Sequence, residues 1–225
     1  METRKYYEAY DDRYVQVHKE NLQWFSYLPS PIVSSIIHKY QISETDRILE
    51  LGCGEGRDAK PLLDRGFDLL ATDISPAAIR FCREKFPEYE KHFAVMNCIT
   101  DRMEERFSFI YAVAVIHMLL LDEDRDGFYQ FLRHQLTDNG IALICSMGDG
   151  HTERSSDIST AFELQERIHE PSGKKMLLAG TSYRGVSMDT FKDEIRRNGL
   201  KILESGLTEV EPDYYTMIYA VVKKG

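Results

Sequence analysis

The segment Glu50-Leu51-Gly52-Cys53-Gly54-Glu55-Gly56 carries three glycines at alternate positions, between an apolar run and a stretch of helical pattern. Glycine has no Cβ, so such a turn can bend sharply and let a ligand approach the backbone. Asp73 closes the next apolar run, 73 − 52 = 21 residues after Gly52. In a strand–helix–strand unit, an acidic residue about 20 residues beyond the turn accepts the hydroxyls of a ribose. Both features also have plain alternatives: a ligand-free turn for the glycines, and a helix cap for Asp73 in TDISP. A third candidate is His117, whose type suits proton transfer near neutrality. It could equally cap a strand or pack beneath a ligand.

These residues need a frame. From Asp46 onward, short apolar runs alternate with longer amphipathic stretches. Strands are expected over Arg47–Leu51, Phe67–Thr72, His92–Met96, Phe107–Val115 and Ile141–Met147. Helices are expected over Arg57–Arg65, Pro76–Phe86 and Asp122–Leu136, the last ended by Asn139-Gly140. Such alternation indicates a parallel sheet, and the two most continuous apolar runs suit strands buried on both faces. His117 then falls just past the fourth strand, at the carboxyl ends where open α/β sheets bind ligands. Ahead of this frame, residues 4–27 read as a helix rich in tyrosine, and Pro29 and Pro31 lead into a second helix over about 31–40. Residues 148–186 read as polar and irregular. A helix to Asn198 follows, capped by Gly199, then strands at about 200–207 and 214–223. Six residues separate those strands, too few for a crossover helix, so they pair antiparallel.

Composition sets further bounds. The chain has 225 residues, with 28 Lys+Arg against 37 Asp+Glu, a net charge of −9. This acidic balance argues against a general nucleic-acid binder, which needs a basic footprint. The longest apolar run, Phe109 to Leu121, falls short of the roughly 20 residues a membrane span needs. A polar N-terminus points to a cytoplasmic protein. Cys53, Cys82, Cys98 and Cys145 form no CxxC pair, so neither a disulfide framework nor a metal site is expected.

The glycine spacing is GxGxG rather than the GxGxxG of nicotinamide dinucleotide sites, and Glu50 precedes it. A carboxylate there repels a pyrophosphate. It suits a ligand with an ammonium and a sulfonium, and S-adenosylmethionine has both, together with a ribose diol. ILELGCGEGRDA, LLATDISPAAI, FSFIYAVAVIHMLL and LTDNGIALICS together resemble the class I S-adenosylmethionine-dependent methyltransferases. The GRDA run is similar to the thiopurine and tellurite-resistance branch. The resemblance implies a Rossmann-like α/β fold: a seven-stranded, mostly parallel sheet with helices on both faces and an antiparallel final strand. It implies a helical cap over residues 1–45 and a methyltransferase domain over 46–225, with a substrate lid at about 148–186.

The resemblance also implies site roles. Glu50, Gly52, Cys53 and Gly54 line the methionine end of the cofactor. Asp73 holds the ribose, with Ile74 beside the adenine. Asn97, Cys98 and Ile99 approach the adenine edge, where an Asn replaces the acid common in the family. Ala114 and Val115 lie along the methyl-donor end, and His117 is the candidate base. Tyr10, Tyr14 and Trp24 are candidates to close over the site, and His151, Arg154, Arg167, His169 and Arg184 to meet a polar or anionic acceptor. No NPPY-like run or Pro-Cys pair follows the fourth strand, which disfavours amino-group methylation of DNA or glutamine and cytosine C5 chemistry. The expectation is methyl transfer to a small molecule. The alternatives are a tRNA or protein methyltransferase, a non-catalytic S-adenosylmethionine-binding protein, or a nicotinamide oxidoreductase.

Overall fold

The computed structural model describes residues 4–169 and 172–225. Residues 1–3 of the expected cap, and Glu170 and Pro171 of the expected lid, lie outside the described residues. The chain begins with α1 (Ala9–His18) and α2 (Pro31–Lys39). Alternation follows as expected: β1 (Ile48–Leu51), α3 (Ala59–Asp64), β2 (Leu69–Asp73), α4 (Pro76–Lys85), β3 (Phe93–Val95), β4 (Phe107–Val113), α5 (Asp122–Gln135) and β5 (Leu136–Met147). Beyond these come β6 (Arg154–Ser155), β7 (Leu164–His169), β8 (Lys174–Ala179), β9 (Arg184–Gly185), α6 (Met188–Arg197), β10 (Leu200–Val210) and β11 (Tyr214–Lys224).

Seven strands form one sheet in the order β10-β11-β5-β4-β1-β2-β3. Pairing is parallel from β3 through β5, and β11 runs antiparallel to both of its neighbours. This is the α/β class expected from the alternation. Side chains of one strand alternate between the two faces, and both faces are covered. Leu49, Leu51, Ile110 and Ile144 pack with Phe128 and Leu132 of α5 and Ile195 of α6. Ile48, Phe109 and Leu143 pack on the other face with Ile36 of α2, Leu62 of α3 and Ile79 of α4. Helix starts follow local chemistry. Pro76 opens α4 behind Ser75, whose Oγ accepts from Ala78 N at 3.0 Å. Across the α5–α6 seam, buried Arg125 donates to both oxygens of buried Glu194, at 2.8 and 2.6 Å, and Tyr129 Oη donates to the same carboxylate at 3.0 Å. Arg125 Nη1 also donates to Ile116 O at 2.8 Å, which fixes the loop after β4 that carries His117.

Three expectations are corrected. The N-terminal helix stops at His18 rather than about residue 27. The amides of Trp24 and Phe25 donate to the Glu55 carboxylate instead of continuing a helical ladder. Asn139-Gly140 does not end α5, which stops at Gln135 and runs directly into β5. Those residues lie where the β4–β5 register slips between Phe107 and Phe109, and a Cβ on Gly140 would stand 2.8 Å from Phe107 O. Residues 148–186 are not irregular throughout. β7 and β8 form an antiparallel ribbon, as do β6 and β9. Met176 and Leu178 of β8 bury themselves with Val17, Leu22 and Trp24 of the N-terminal region, a long-range packing that a polar local sequence conceals.

Candidate functional site

β1 delivers the chain to the glycine turn at the carboxyl edge of the sheet. Gly52 and Gly54 adopt φ of 71° and 52°, in the left-handed region where a Cβ is strained. Space demands glycine as well. A Cβ on Gly52 would stand 2.4 Å from Val115 Cγ2, and one on Gly54 2.6 Å from Tyr14 Oη. Asp73, at the end of β2, accepts from Gly54 N through Oδ2 and from Ser75 N through Oδ1, each at 2.8 Å. It therefore braces the turn against the start of α4, and each oxygen keeps a further lone pair. Burial pushes its carboxyl up to about 6, against the pull of those two hydrogen bonds.

Glu50 is buried at 4% exposure. Burial first, and the Asp58 carboxylate second, hold its acid well above the usual range. Among the described residues its Oε2 has no hydrogen-bond partner. An unpartnered buried carboxylate oxygen is costly, and it marks a place for a ligand's donor. Ala114 has φ 59°, an uncommon conformation for a residue with a Cβ. It turns the chain out of β4 beside the glycines.

A cavity with about 960 Å³ of empty space lies over this edge. Glu50, Gly52, Cys53, Gly54, Asp73, Ile74, Asn97, Cys98, Ile99, Ala114 and Val115 all line it, with Tyr7, Tyr10, Tyr14, Phe25 and Tyr214 from other parts of the chain. The Asn97 side chain is partly committed, since its Oδ1 accepts from Ile99 N at 2.9 Å. Burial pushes the Cys53 thiol well up and that of Cys98 to about 12, so neither is poised as a thiolate.

His117 stands apart from these eleven. It lines a second, more open chamber, which shares Tyr10, Phe25, Met118 and Tyr214 with the first cavity. Its ring is 3% exposed, and Nδ1 has no partner among the described residues. Burial, with a smaller contribution from the Arg125 charge, pulls the imidazole down to about 3. At neutral pH the ring is uncharged. Arg167 and His169 line the same chamber. Arg154 stacks over Tyr183 instead, and Arg184 pairs with Asp122 and Leu120 O. His151 is exposed.

The N-terminal region is anchored over the glycine turn by residues that sequence reasoning missed. The Glu55 carboxylate accepts from His18 Nε2 and Trp24 N at 2.9 Å and from Phe25 N at 3.0 Å. Asp58 accepts from Ser30 Oγ at 2.8 Å, and Asp213 from Ser26 Oγ and Arg57 at 2.8 Å. Asp11 of α1 accepts from Ser75 Oγ at 2.6 Å and Ala77 N at 2.9 Å, a cap for α4 supplied from another helix. Arg13 of α1 donates to Ala179 O, Gly180 O and Thr181 Oγ1 at 2.8–3.0 Å, reaching the other side of the site. The only local signal was that GCGEGRDA carries three charged residues inside a tight turn.

Comparison with known proteins agrees with this geometry. Residues 49–142 match a family model described as a methyltransferase domain. The malonyl-[acyl-carrier protein] O-methyltransferase of Acetivibrio thermocellus is 23% identical over 224 residues, covering 94% of this chain and 75% of that protein. The chain therefore carries a methyltransferase domain. Two solved structures share the methyltransferase fold. The CcbJ methyltransferase of Streptomyces caelestis superposes with a TM-score of 0.69 at 17% identity, covering 96% of this chain and 98% of that one. The glycopeptide N-methyltransferase MtfA, complexed with S-adenosylmethionine, gives 0.61 at 18% identity, covering 85% and 86%. No helix among this chain's described residues is long and apolar enough to cross a membrane.

Proposed function

We propose that this methyltransferase acts on a small molecule held in the His117 chamber, with the cofactor in the glycine-turn cavity. The observation that carries the reading is the common wall of the two spaces, built from Tyr10, Phe25, Met118 and Tyr214. A donor in one space and an acceptor in the other both border these four side chains, so transfer takes place where they leave an opening between the two spaces. Holding two reactants in aligned contact supplies about 7–11 kcal/mol of a barrier in well-oriented reactions. The residues fit the cofactor on their own chemistry. The orphaned Glu50 Oε2 suits an ammonium, and Asp73 retains lone pairs for ribose hydroxyls. Gly52 and Gly54 admit no Cβ, and Asn97, Cys98, Ile99 and Ile74 border the side expected for the adenine. When bound, the cofactor supplies an electrophilic methyl on a sulfonium.

Residues 1–45 act in this reading as a cap, and residues 148–186 as the acceptor lid. His117 is the proposed catalytic residue, in a narrow role. A neutral ring held near 3 is a weak base, so its Nδ1 chiefly orients the acceptor by accepting a hydrogen bond from it. By name, the curated relative is a malonyl-[acyl-carrier protein] O-methyltransferase and the solved structure a glycopeptide N-methyltransferase, and an acidic chain gives little footing to RNA.

The test supplies methyl-labelled cofactor to the purified enzyme with separate small-molecule, tRNA and protein fractions. Label transferred to the small-molecule fraction, and abolished by Asp73→Ala, supports the reading. Label in tRNA or protein instead refutes the acceptor class. Tight cofactor binding with no transfer to any fraction favours the non-catalytic alternative.

A further inference from the structure

The His117 chamber holds an unbalanced charge. Arg13 and Arg167 both line it, and among the described residues neither pairs with a carboxylate. Among the described residues its one acid, Asp213, is already committed to Arg57 and Ser26. In a chain with nine surplus negative charges, two cations facing one concavity with no carboxylate partner among the described residues need an explanation.

Arg13 is built to stay there. Its guanidinium lies over the rings of Tyr10 and Trp24, at 5.4 and 5.1 Å from their centroids. Nε and Nη2 donate to the carbonyls of residues 179 and 180 and to Thr181 Oγ1. Nη1 makes no hydrogen bond among the described residues and is left to the chamber. Burial, and the like charge of Arg167, lower the pKa of Arg13, so an incoming anion relieves both costs. Arg167 reaches from β7 across the same space and spends only Nη2, on Gln165 Oε1 at 2.9 Å. Leu22, Trp24, Tyr27, Met147 and Pro212 supply apolar and aromatic wall, beside the polar Asn21, Gln23, Ser26 and His169.

Resting on the two-space reading above, we propose that the acceptor carries a carboxylate on an apolar or aromatic body, and that Arg13 and Arg167 hold that carboxylate. The planar fork of Arg167 matches a carboxylate's two oxygens, and Arg13 adds one N–H through Nη1. The single free nitrogen of Arg13 suits a monoanion better than a phosphate dianion, which calls for more donors. Arg13 and Arg167 therefore set specificity, and the group to be methylated lies on the part of the acceptor nearest Met118 and Tyr214.

The experiment is calorimetric titration of the full chain, first with S-adenosylhomocysteine and then, in its saturating presence, with benzoate, phenylacetate and 3-phenylpropionate, their neutral amides, and phenyl phosphate. The expected result is that at least one acid binds tenfold or more tightly than its amide and than phenyl phosphate. Arg167→Gln, on an exposed strand position, reduces that preference at least tenfold while leaving S-adenosylhomocysteine affinity unchanged, and Arg13→Lys reduces it further. Equal affinity for acids and amides, or a preference that survives both variants, overturns the proposal. So does preferential binding of phenyl phosphate. Failure of S-adenosylhomocysteine to bind at all strikes the cofactor reading instead, and removes the foundation of the proposal with it.

Discussion

Glu55 offers the sharpest test of how the N-terminal region is held. Its buried carboxylate is the shared acceptor for His18 Nε2, Trp24 N and Phe25 N. In Glu55→Gln, one oxygen becomes an amide nitrogen that faces a donor. One backbone N–H is left without an acceptor, and the surviving contacts lose their charge assistance. An unsatisfied buried donor costs about 1–3 kcal/mol and a charged hydrogen bond exceeds a neutral one by roughly 1 kcal/mol, so the docked segment loses about 3 kcal/mol. At about 1.4 kcal/mol per tenfold, its opening equilibrium shifts by roughly a hundredfold. The assay is native-state hydrogen exchange at the Trp24 and Phe25 amides. Protection there is expected to fall about a hundredfold, while the amides of β1 and β4 in the core keep theirs, because local opening and global unfolding are separate events. Cofactor affinity should fall with it, since Phe25 lines the glycine-turn cavity. Protection at residues 24 and 25 that stays within about threefold of the parent would refute the reasoning, because the carboxylate would then not be what holds the segment.

Other outcomes follow from the same geometry. With Asp73 near 6 in the free protein, a ligand that donates hydroxyls to it favours the ionised form. Affinity for S-adenosylmethionine should fall as pH drops through about 6, with Asp73 contributing up to tenfold per unit; Asp73→Asn, titrated alongside, should show weak binding with that contribution removed and only the slope from Glu50 left. Gly54→Ala forces a Cβ into the space of Tyr14 Oη at a left-handed φ, so calorimetry should find cofactor affinity down at least tenfold, and Gly54→Ala combined with Tyr14→Phe should recover only part of it. Arg125→Met strands the Glu194 carboxylate in the α5–α6 seam. Breaking a buried pair costs about 3–5 kcal/mol, so the melting temperature should drop by roughly 10 °C in a chain of this size. For His117→Asn, a ring held near 3 predicts a kcat loss below about tenfold, whereas a loss of a hundredfold or more would make it a full general base.

The sequence made the sheet legible because its strands and helices differ in period and because glycine, proline and serine mark their ends. Ser75-Pro76 and Gly199 are such marks, and the helices start and stop at them. Asn139-Gly140 misled for the same reason. The pair is a good helix stop in isolation, but here a strand begins earlier and the glycine serves close approach to Phe107 O. The residues around the glycine turn were readable because the chemistry there is local: glycines, an acid before them and an acid at the next strand end. Glu55, Asp58, Asp11 and Arg13 were not readable. Each acts on a partner distant in sequence, and a charged residue in a turn or on a helix reads as a solvated one until the fold removes the water. The ribbon of β7 and β8 was hidden likewise, since its apolar face is completed by α1 and Trp24 rather than by neighbours in sequence.

The anchoring of α1 and residues 24–30 to Glu55, Asp58 and Asp213 has a kinetic meaning. Tyr14 and Phe25, which stand over the glycine turn, belong to that anchored region. Where that region covers the glycine-turn cavity, a spent cofactor would leave as those charge-assisted contacts release. Turnover would be paced by that release rather than by the bond-making step, with the cofactor first to enter and its demethylated product last to leave. Steady-state product inhibition by S-adenosylhomocysteine would then be competitive against S-adenosylmethionine, and pre-steady-state traces would show a burst of methylated product ahead of the slower steady rate.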